Sequence, residues 1–582
     1  MGFGFATSPD AGYRERHRRA ELQRRSSTCG ARVDGGGPPD SMGSIRWVRA
    51  PSFAPFLRAL TLLAGMGFAI APAMAQRPDA AAIQPTITTS QGLSATTPSA
   101  VLAAPINGLV VGPAAVIRPQ FLFDPRIGVS QSFTDNAGGA PPFLRRMDTY
   151  TTVEPGALLD FTSAHHRFIV DYTLTKRWYY DNEDLNRLQH SLNTFSQSEL
   201  VDGLFFVDTQ VALQDGTLNE LGSVSADPTV QLNNNSTTVL TASASPFFRY
   251  SLENLANFET RYRYGRSTSL GGGTQDSETH QFTQNIASGT EFQTFIWGAT
   301  FDHGKTDLSG QAAIGPTGDR TNQNYLGVFS AEVPITREFS LAASAGYERI
   351  EDATLDDQPD GPIWSVGFRY RPGPRTTLQL AYGDRYDRRR VSGGFSYLIS
   401  QRSTIEFSYG TNVRSTSPTA ANSVAFLAPD GFGNLVDVRT GQGLSFSDSI
   451  FGLTSASFIA DRFESRLTLG HDNATSTIAA YRESRTGSNS QADQTSYGAT
   501  YGYTRSLSTY LRMGFNIGAA FTKTDGNPER EDLTITGGGS LDYSFSDTLT
   551  GTLGYRYFDR DSNSSGNNLR ENLITAGIRK AF

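Results

Sequence analysis

Three things are scarce in this sequence, and each scarcity removes a class of protein. The 582-residue chain has a single cysteine, Cys29, so no disulfide framework holds it together. Lysine occurs only at positions 176, 305, 523 and 580, while Gly, Ser, Thr and Tyr are plentiful, a balance that favours an all-β chain. Beyond the N-terminus no run of 18 or more apolar residues exists, which argues against a helical membrane protein. Basic residues are also in deficit, 50 Lys and Arg against 57 Asp and Glu, a formal charge of −7. Nucleic-acid binding calls for a basic footprint, so no nucleic-acid partner is expected.

The N-terminus holds an export pattern. Arg46, Arg49 and Arg58 precede the apolar run ALTLLAGMGFAIA (59–71), too short to span a bilayer, and Ala73-Met74-Ala75 forms a small-residue cleavage site. Translation is therefore expected to start at Met42, with 42–75 as the signal peptide. The Arg-rich 1–41 reads as an over-extended, disordered N-terminus; a genuine cytoplasmic extension is the alternative. Cleavage would remove ten Arg, five acidic residues and Cys29, leaving 40 basic against 52 acidic residues, or −12. Residues 76–117, rich in Ala, Pro, Thr and Ser and lacking aromatics, read as a disordered periplasmic tether. A plug is the alternative, but so short a low-complexity segment would not bury a core.

From about residue 118 the text alternates. In FIVDYTLTKRWYY (168–180), Phe168, Val170, Tyr172, Leu174, Trp178 and Tyr180 share one face with Lys176. Asp171, Thr173, Thr175 and Arg177 share the other. Successive side chains of a strand point to opposite faces, so an apolar face meeting lipid and a polar face meeting a wet lumen explain both sets. Lys176, beside Trp178, would snorkel to the headgroups. The same alternation recurs in FSLAASAGY (339–347), TLQLAYG (377–383), TIEFSYG (404–410) and LTGTLGYRY (549–557). Connectors alternate too: short ones such as 162–167, 201–203 and 371–375 interleave with long polar ones such as 134–147, 215–234 and 306–321. That rhythm predicts an all-β, up-and-down antiparallel transmembrane β-barrel over 118–582, with an even number of strands, about 18–22. Residues 413–461 break the rhythm, as a long loop or a segment folded into the lumen.

The chain ends in NLITAGIRKAF, which resembles the C-terminal signal by which the outer-membrane assembly machinery recognises its barrels: Gly577 and Phe582 fit, and Lys580 stands where a hydrophobic residue is usual. Further motifs are GVSQSFTDNAGG (128–139), VEPGALLDFT (153–162), with its Pro-Gly entering a strand, VDYTLTKRWYY (170–180) and SQSELVDGLFFVD (196–208). On these the chain is similar to the outer-membrane β-barrel porin family of proteobacteria, some members of which are linked to exopolysaccharide systems. The resemblance implies a location in the cell outer membrane and a porin-like channel for small solutes or exported polysaccharide. It implies as partners the outer-membrane lipids, lipopolysaccharide and the assembly machinery, the last through the strand ending in Phe582. A structural or adhesive envelope barrel with a blocked lumen is the alternative function.

No constellation points to chemistry, so no catalytic, cofactor or metal residue is assigned and no enzyme is expected. His165-His166 lack a spaced third ligand for zinc. Serine is abundant without a nucleophile elbow. The acidic stretches DNEDLN (181–186) and EDATLDDQPDG (351–361) lack EF-hand spacing and read as solvated or lipopolysaccharide-bridged loops. Arg388-Arg389-Arg390 would pair with lipid phosphates or with Asp384 and Asp387, or form an anion-selecting ring. Asn473 opens a sequon, read as part of a polar loop.

Overall fold

The computed structural model describes residues 119–582, apart from 219–221, 228–234, 312–317, 356–357, 387, 416–426, 430–434, 438–441, 444–456, 487–491 and 527. The expected extension, signal peptide and tether lie outside the described residues. The described chain forms one 22-stranded antiparallel sheet in which each strand pairs with its sequence neighbour. The last strand, Leu569–Ala581, pairs back on the first, Gln120–Thr134, with Thr134 opposite Leu573 and Arg126 opposite Ala581. The sheet is thus a closed up-and-down barrel with no free edge. Its strand number is even and stands at the top of the expected range.

Closure is stitched by the Thr134-Asp135-Asn136 motif. Asp135 accepts from the backbone N–H and side-chain amide of Asn572, at 2.7 and 2.8 Å. The Asn136 amide donates to the Arg570 carbonyl at 3.0 Å, and Thr134 donates to Glu571 at 2.7 Å. At the other end of the seam, the Phe582 N–H reaches the Pro125 carbonyl at 3.0 Å. Lys580, the misfit in the terminal motif, points outward and donates to the Thr548 hydroxyl.

Both termini of the barrel lie at the end occupied by short turns, such as 163–165, 202–204, 374–375 and 547–548. Gly203 has φ +66 in one of these, a conformation that favours glycine. The long connectors, 135–147, 218–235, 310–319 and 416–456 among them, lie at the opposite end. Turns at 471–473 and 507–510 complete the alternation; the strand Ala474–Thr486 starts directly after Asn473, so HDNATS is a tight turn and strand start rather than a loop. Two further expectations are corrected. Pro155-Gly156 lies in the middle of the strand Asp148–Thr162, where the missing Pro N–H coincides with a gap in its pairing to His166–Tyr179. The irregular segment 413–461 is shorter than read: one barrel strand continues to Ser415 and the next begins at Ser457. Between them lie three short strands, Leu427–Pro429, Leu435–Asp437 and Gln442–Gly443, and otherwise residues outside the described set.

The alternation read from the sequence governs which way each side chain points. Phe121, Phe123, Ile127, Val129 and Phe133 of the first strand are exposed on the outside, whereas Ser132 and Thr134 are buried within. In 168–180, Phe168, Tyr172 and Trp178 are outward and exposed, while Thr175, Arg177 and Tyr179 are buried inward. The Lys176 ammonium lies 5.7 Å from the Trp178 ring on the outer face. An outer surface of large apolar side chains with no protein against it suits hydrocarbon, and a polar inner wall suits water.

Candidate functional site

The inner wall is built around arginine. Arg126 reaches Asp171 and, at 3.1 Å, the Thr173 hydroxyl; Arg261 reaches Asp208 at 2.9 Å. Arg369 reaches Glu332 at 2.5 Å, and Arg385 grips Glu348 through two bonds of 2.7 and 2.6 Å. Each of these pairs steps over one intervening strand, a span of about 10 Å at the usual strand spacing. Only a long side chain covers that distance, and Arg adds a fork matched to a carboxylate. The strand stepped over must present little bulk. At Gly156 a Cβ would lie 3.2 Å from Arg126 Nε and 2.9 Å from the Tyr172 carbonyl, so the glycine of the Pro-Gly motif makes room for the crossing. Where no cation arrives, neutral donors serve: buried Asp302 accepts from Gln281, Thr283 and Asn324 at 2.8, 2.8 and 2.9 Å. Such coverage is required, since a buried carboxylate without donors would forfeit its hydration uncompensated.

At the long-loop end, residues 222–227 of connector 218–235 fold into the bore. The Ala226 N–H donates to Glu571 at 2.6 Å, and the Ser225 hydroxyl to the same carboxylate at 3.3 Å. Arg556 binds Asp227 at 2.6 Å, and Arg560 binds the Gly222 carbonyl at 3.0 Å. Arg556, Arg560 and Glu571 stand on the inner face of the last two strands, far in sequence from the loop. Ala226 packs against a buried cluster of Ala137, Tyr150, Tyr179 and Leu573. The two tyrosine rings lie 4.7 Å apart. This loop narrows the bore from one wall.

On the opposite wall a second closure forms differently. Pairing between Arg388–Ser400 and Ser403–Ser415 stops at Gly393–Tyr409, so the strands part above that point. Val413 and Ile459 face outward by alternation, yet they pack with inward-facing Ile350, with Leu355 and with Tyr386. The tops of strands Ser403–Ser415 and Ser457–Gly470 therefore lean in over the bore. Thr354 holds them by accepting from the Ser457 N–H at 2.9 Å. Tyr386, in the tight turn after Arg385, has φ 58, which a non-glycine residue adopts at a cost offset here by burial in the cluster. That burial pushes its phenol pKa up.

The sequence candidates fall into place around these closures. Arg389 pairs with Asp384 at 3.6 Å on the outside. Arg388 instead donates to the Thr486 hydroxyl at 3.4 Å, and Arg390 pairs with Asp461 and with the Thr411 hydroxyl across the parted strands. The triplet thus forms no ring: alternation sends its middle member out and the other two into the closure. In EDATLDDQPDG, Asp352 is buried rather than solvated, accepting from the Thr354 N–H and hydroxyl and from Asn322 at 2.7–2.8 Å. Asp184 of DNEDLN sits 3.9 Å from Arg146 on the surface. His165 lies in a short turn, 3.6 Å from Asp202 and 3.7 Å from Glu199. Among the described residues no group of three or more His, Cys, Asp or Glu is placed to hold a metal. Sequence reading missed the loop anchors Asp227, Arg556 and Glu571. The signals available were apolar residues set in polar connectors, Leu355 and Ala226 among them.

No protein-family model matches the sequence, and no curated protein matches it either. Among solved structures, the chain is similar to the FrpB iron transporter from Neisseria meningitidis in its apoprotein form, at 10% identity and a TM-score of 0.47, covering 79% of this chain and 81% of that one. It is similar to the siderophore receptor PirA from Acinetobacter baumannii at 10% identity and a TM-score of 0.45, covering 79% and 80%. A third such structure is the ferric enterobactin receptor of Pseudomonas aeruginosa, at 9% identity and a TM-score of 0.45, covering 79% and 81%.

Proposed function

We propose that this chain is an outer-membrane channel whose bore is narrowed by an in-folded loop, passing hydrophilic solutes between the cell exterior and the periplasm. The observation that carries the reading is the pairing of an apolar outside with a polar, ion-paired inside around a closed ring, with residues 222–227 pinned to one inner wall. A closed barrel satisfies every strand's backbone groups within itself, as a hydrocarbon surround demands. Short turns would then face the periplasm and long loops the exterior. The membrane location, the lipid partners and recognition of the strand ending in Phe582 by the assembly machinery belong to this same proposal.

The test is conductance of the folded protein in planar bilayers. Discrete steps are expected, and their size should grow when 223–227 is replaced by a short Gly-Ser link. Folded, inserted protein that gives no steps, before or after that replacement, would refute the channel. A second reading, a structural or adhesive barrel with a blocked lumen, draws on the two closures that fold in from opposite walls. It predicts silence from the intact protein and steps only after the loop is cut back. Passage of a neutral polysaccharide is the narrower form of the channel reading. It predicts that oligosaccharides added on one side interrupt the current in a length-dependent way.

A further inference from the structure

The two rims of the outer face differ in chemistry. At the short-turn end large apolar residues dominate the outward face: Phe121, Leu200, Phe248, Tyr250 and Phe545 are exposed there. At the long-loop end charged residues gather among them, and one dense patch spans strands Ala256–Ser269, Asp276–Ser288 and Ile296–Ser309. Register places Arg266 opposite Glu278, Glu278 opposite Asp307, and His280 opposite Lys305, all outward. One step nearer the barrel waist, Phe282 is exposed and the Tyr262 hydroxyl meets His280 Nδ1 at 2.7 Å. Charge above aromatic rings is the layering of a membrane interface.

Two features show that this patch is more than a solvated rim. Glu278 and Asp307 carry like charge at directly opposed positions, which destabilises a sheet unless cations or donors stand close by. Lys305 answers Asp307 at 2.8 Å, the Thr321 hydroxyl donates to it at 2.6 Å, and His280 Nε2 lies 3.3 Å from Glu278; Arg266, by contrast, is exposed and makes no ion pair or hydrogen bond among the described residues. Lysine is confined to the outer face, whereas arginine stands on both faces. All four lysines, at 176, 305, 523 and 580, point outward, and the inner-wall ion pairs described above use arginine alone. Lysine carries a compact charge on a flexible stem, suited to a phosphate that is not fixed in one place; arginine's fork suits a carboxylate fixed in the wall.

We infer that the patch around Arg266 and Lys305 docks the phosphorylated sugar headgroup of an outer-leaflet glycolipid. The two cations would take its phosphates, the Glu278 and Asp307 carboxylates would accept from its sugar hydroxyls, and the Tyr262–Phe282 layer would meet the start of its acyl chains. This rests on the outer-membrane reading, and the measurement separates the two. The folded protein is reconstituted in vesicles of phosphatidylcholine alone or with added bisphosphorylated lipid A, dephosphorylated lipid A or phosphatidylglycerol, and its urea unfolding midpoint is followed by tryptophan fluorescence.

Bisphosphorylated lipid A should raise the midpoint well above the other three mixtures. The double variant Arg266→Gln/Lys305→Gln, compared with its own midpoint in phosphatidylcholine, should lose most of that rise. Lys580→Gln, at the other rim, should keep the rise. An equal rise with phosphatidylglycerol, or an undiminished rise in the double variant, would overturn the inference. Failure to insert into any vesicle would instead count against the membrane barrel itself.

Discussion

The two closures of the bore do the same job with opposite chemistry. Residues 222–227 are held to the last two strands by charge and hydrogen bonds, Arg556 to Asp227 and Ala226 to Glu571. The leaning strands opposite are held by an apolar cluster of Leu355, Tyr386, Ile350, Ile459 and Val413, with Arg385 and Glu348 paired beside it. The difference suggests which one moves. Contacts between ions can exchange for water and salt at small net cost, whereas a packed apolar cluster opens only by losing its burial. The first closure is then adjustable and the second is part of the wall.

The largest effect that would test this is Glu348→Ala. It strands Arg385 in a site where both side chains are under 10% exposed, and should cost about 3–5 kcal/mol in urea unfolding. Replacing both partners with leucine should cost far less. Next, Leu355→Ala should lose about 2–3 kcal/mol by leaving a cavity in the apolar closure, with single-channel conductance unchanged. Glu571→Ala should cost about 1–3 kcal/mol, since it removes the acceptor of the Ala226 N–H and of Thr134, and it should enlarge the conductance. The smallest stability change is expected for Asp227→Asn, about 1 kcal/mol or less. Its signature is salt dependence: conductance relative to bulk conductivity should rise with salt in the parent and stay flat in the variant. If Leu355→Ala opens the channel and Glu571→Ala does not, the assignment of roles is reversed.

Much of the barrel was legible because a barrel strand is read one residue at a time. Period-two alternation needs no knowledge of any partner, and 168–180 alone told the outer face from the inner one. Loop sorting by length gave topology and an even strand number for the same reason, each hairpin being local. The triplet Arg388-Arg389-Arg390 shows where local reading fails. Alternation correctly separates Arg389 from its neighbours, but nothing nearby says that Arg388 would find Thr486 or Arg390 would find Asp461. The Pro-Gly at 155–156 misled in the same way. It read as punctuation, and its purpose is to let an arginine from the strand before reach an aspartate on the strand after.

The sequence by itself settled the wall: its class, its two faces and the outward placing of Lys176. Those follow from sterics and hydration acting on neighbours in the chain. Only the tertiary structure decided the mouth, where Asp227 meets Arg556 and Leu355 meets Ile459, and how Thr134-Asp135-Asn136 clasps the last strand. These contacts join residues about one hundred to more than four hundred positions apart. Their geometry exists only once the ring has closed and fixed which strand tops face each other.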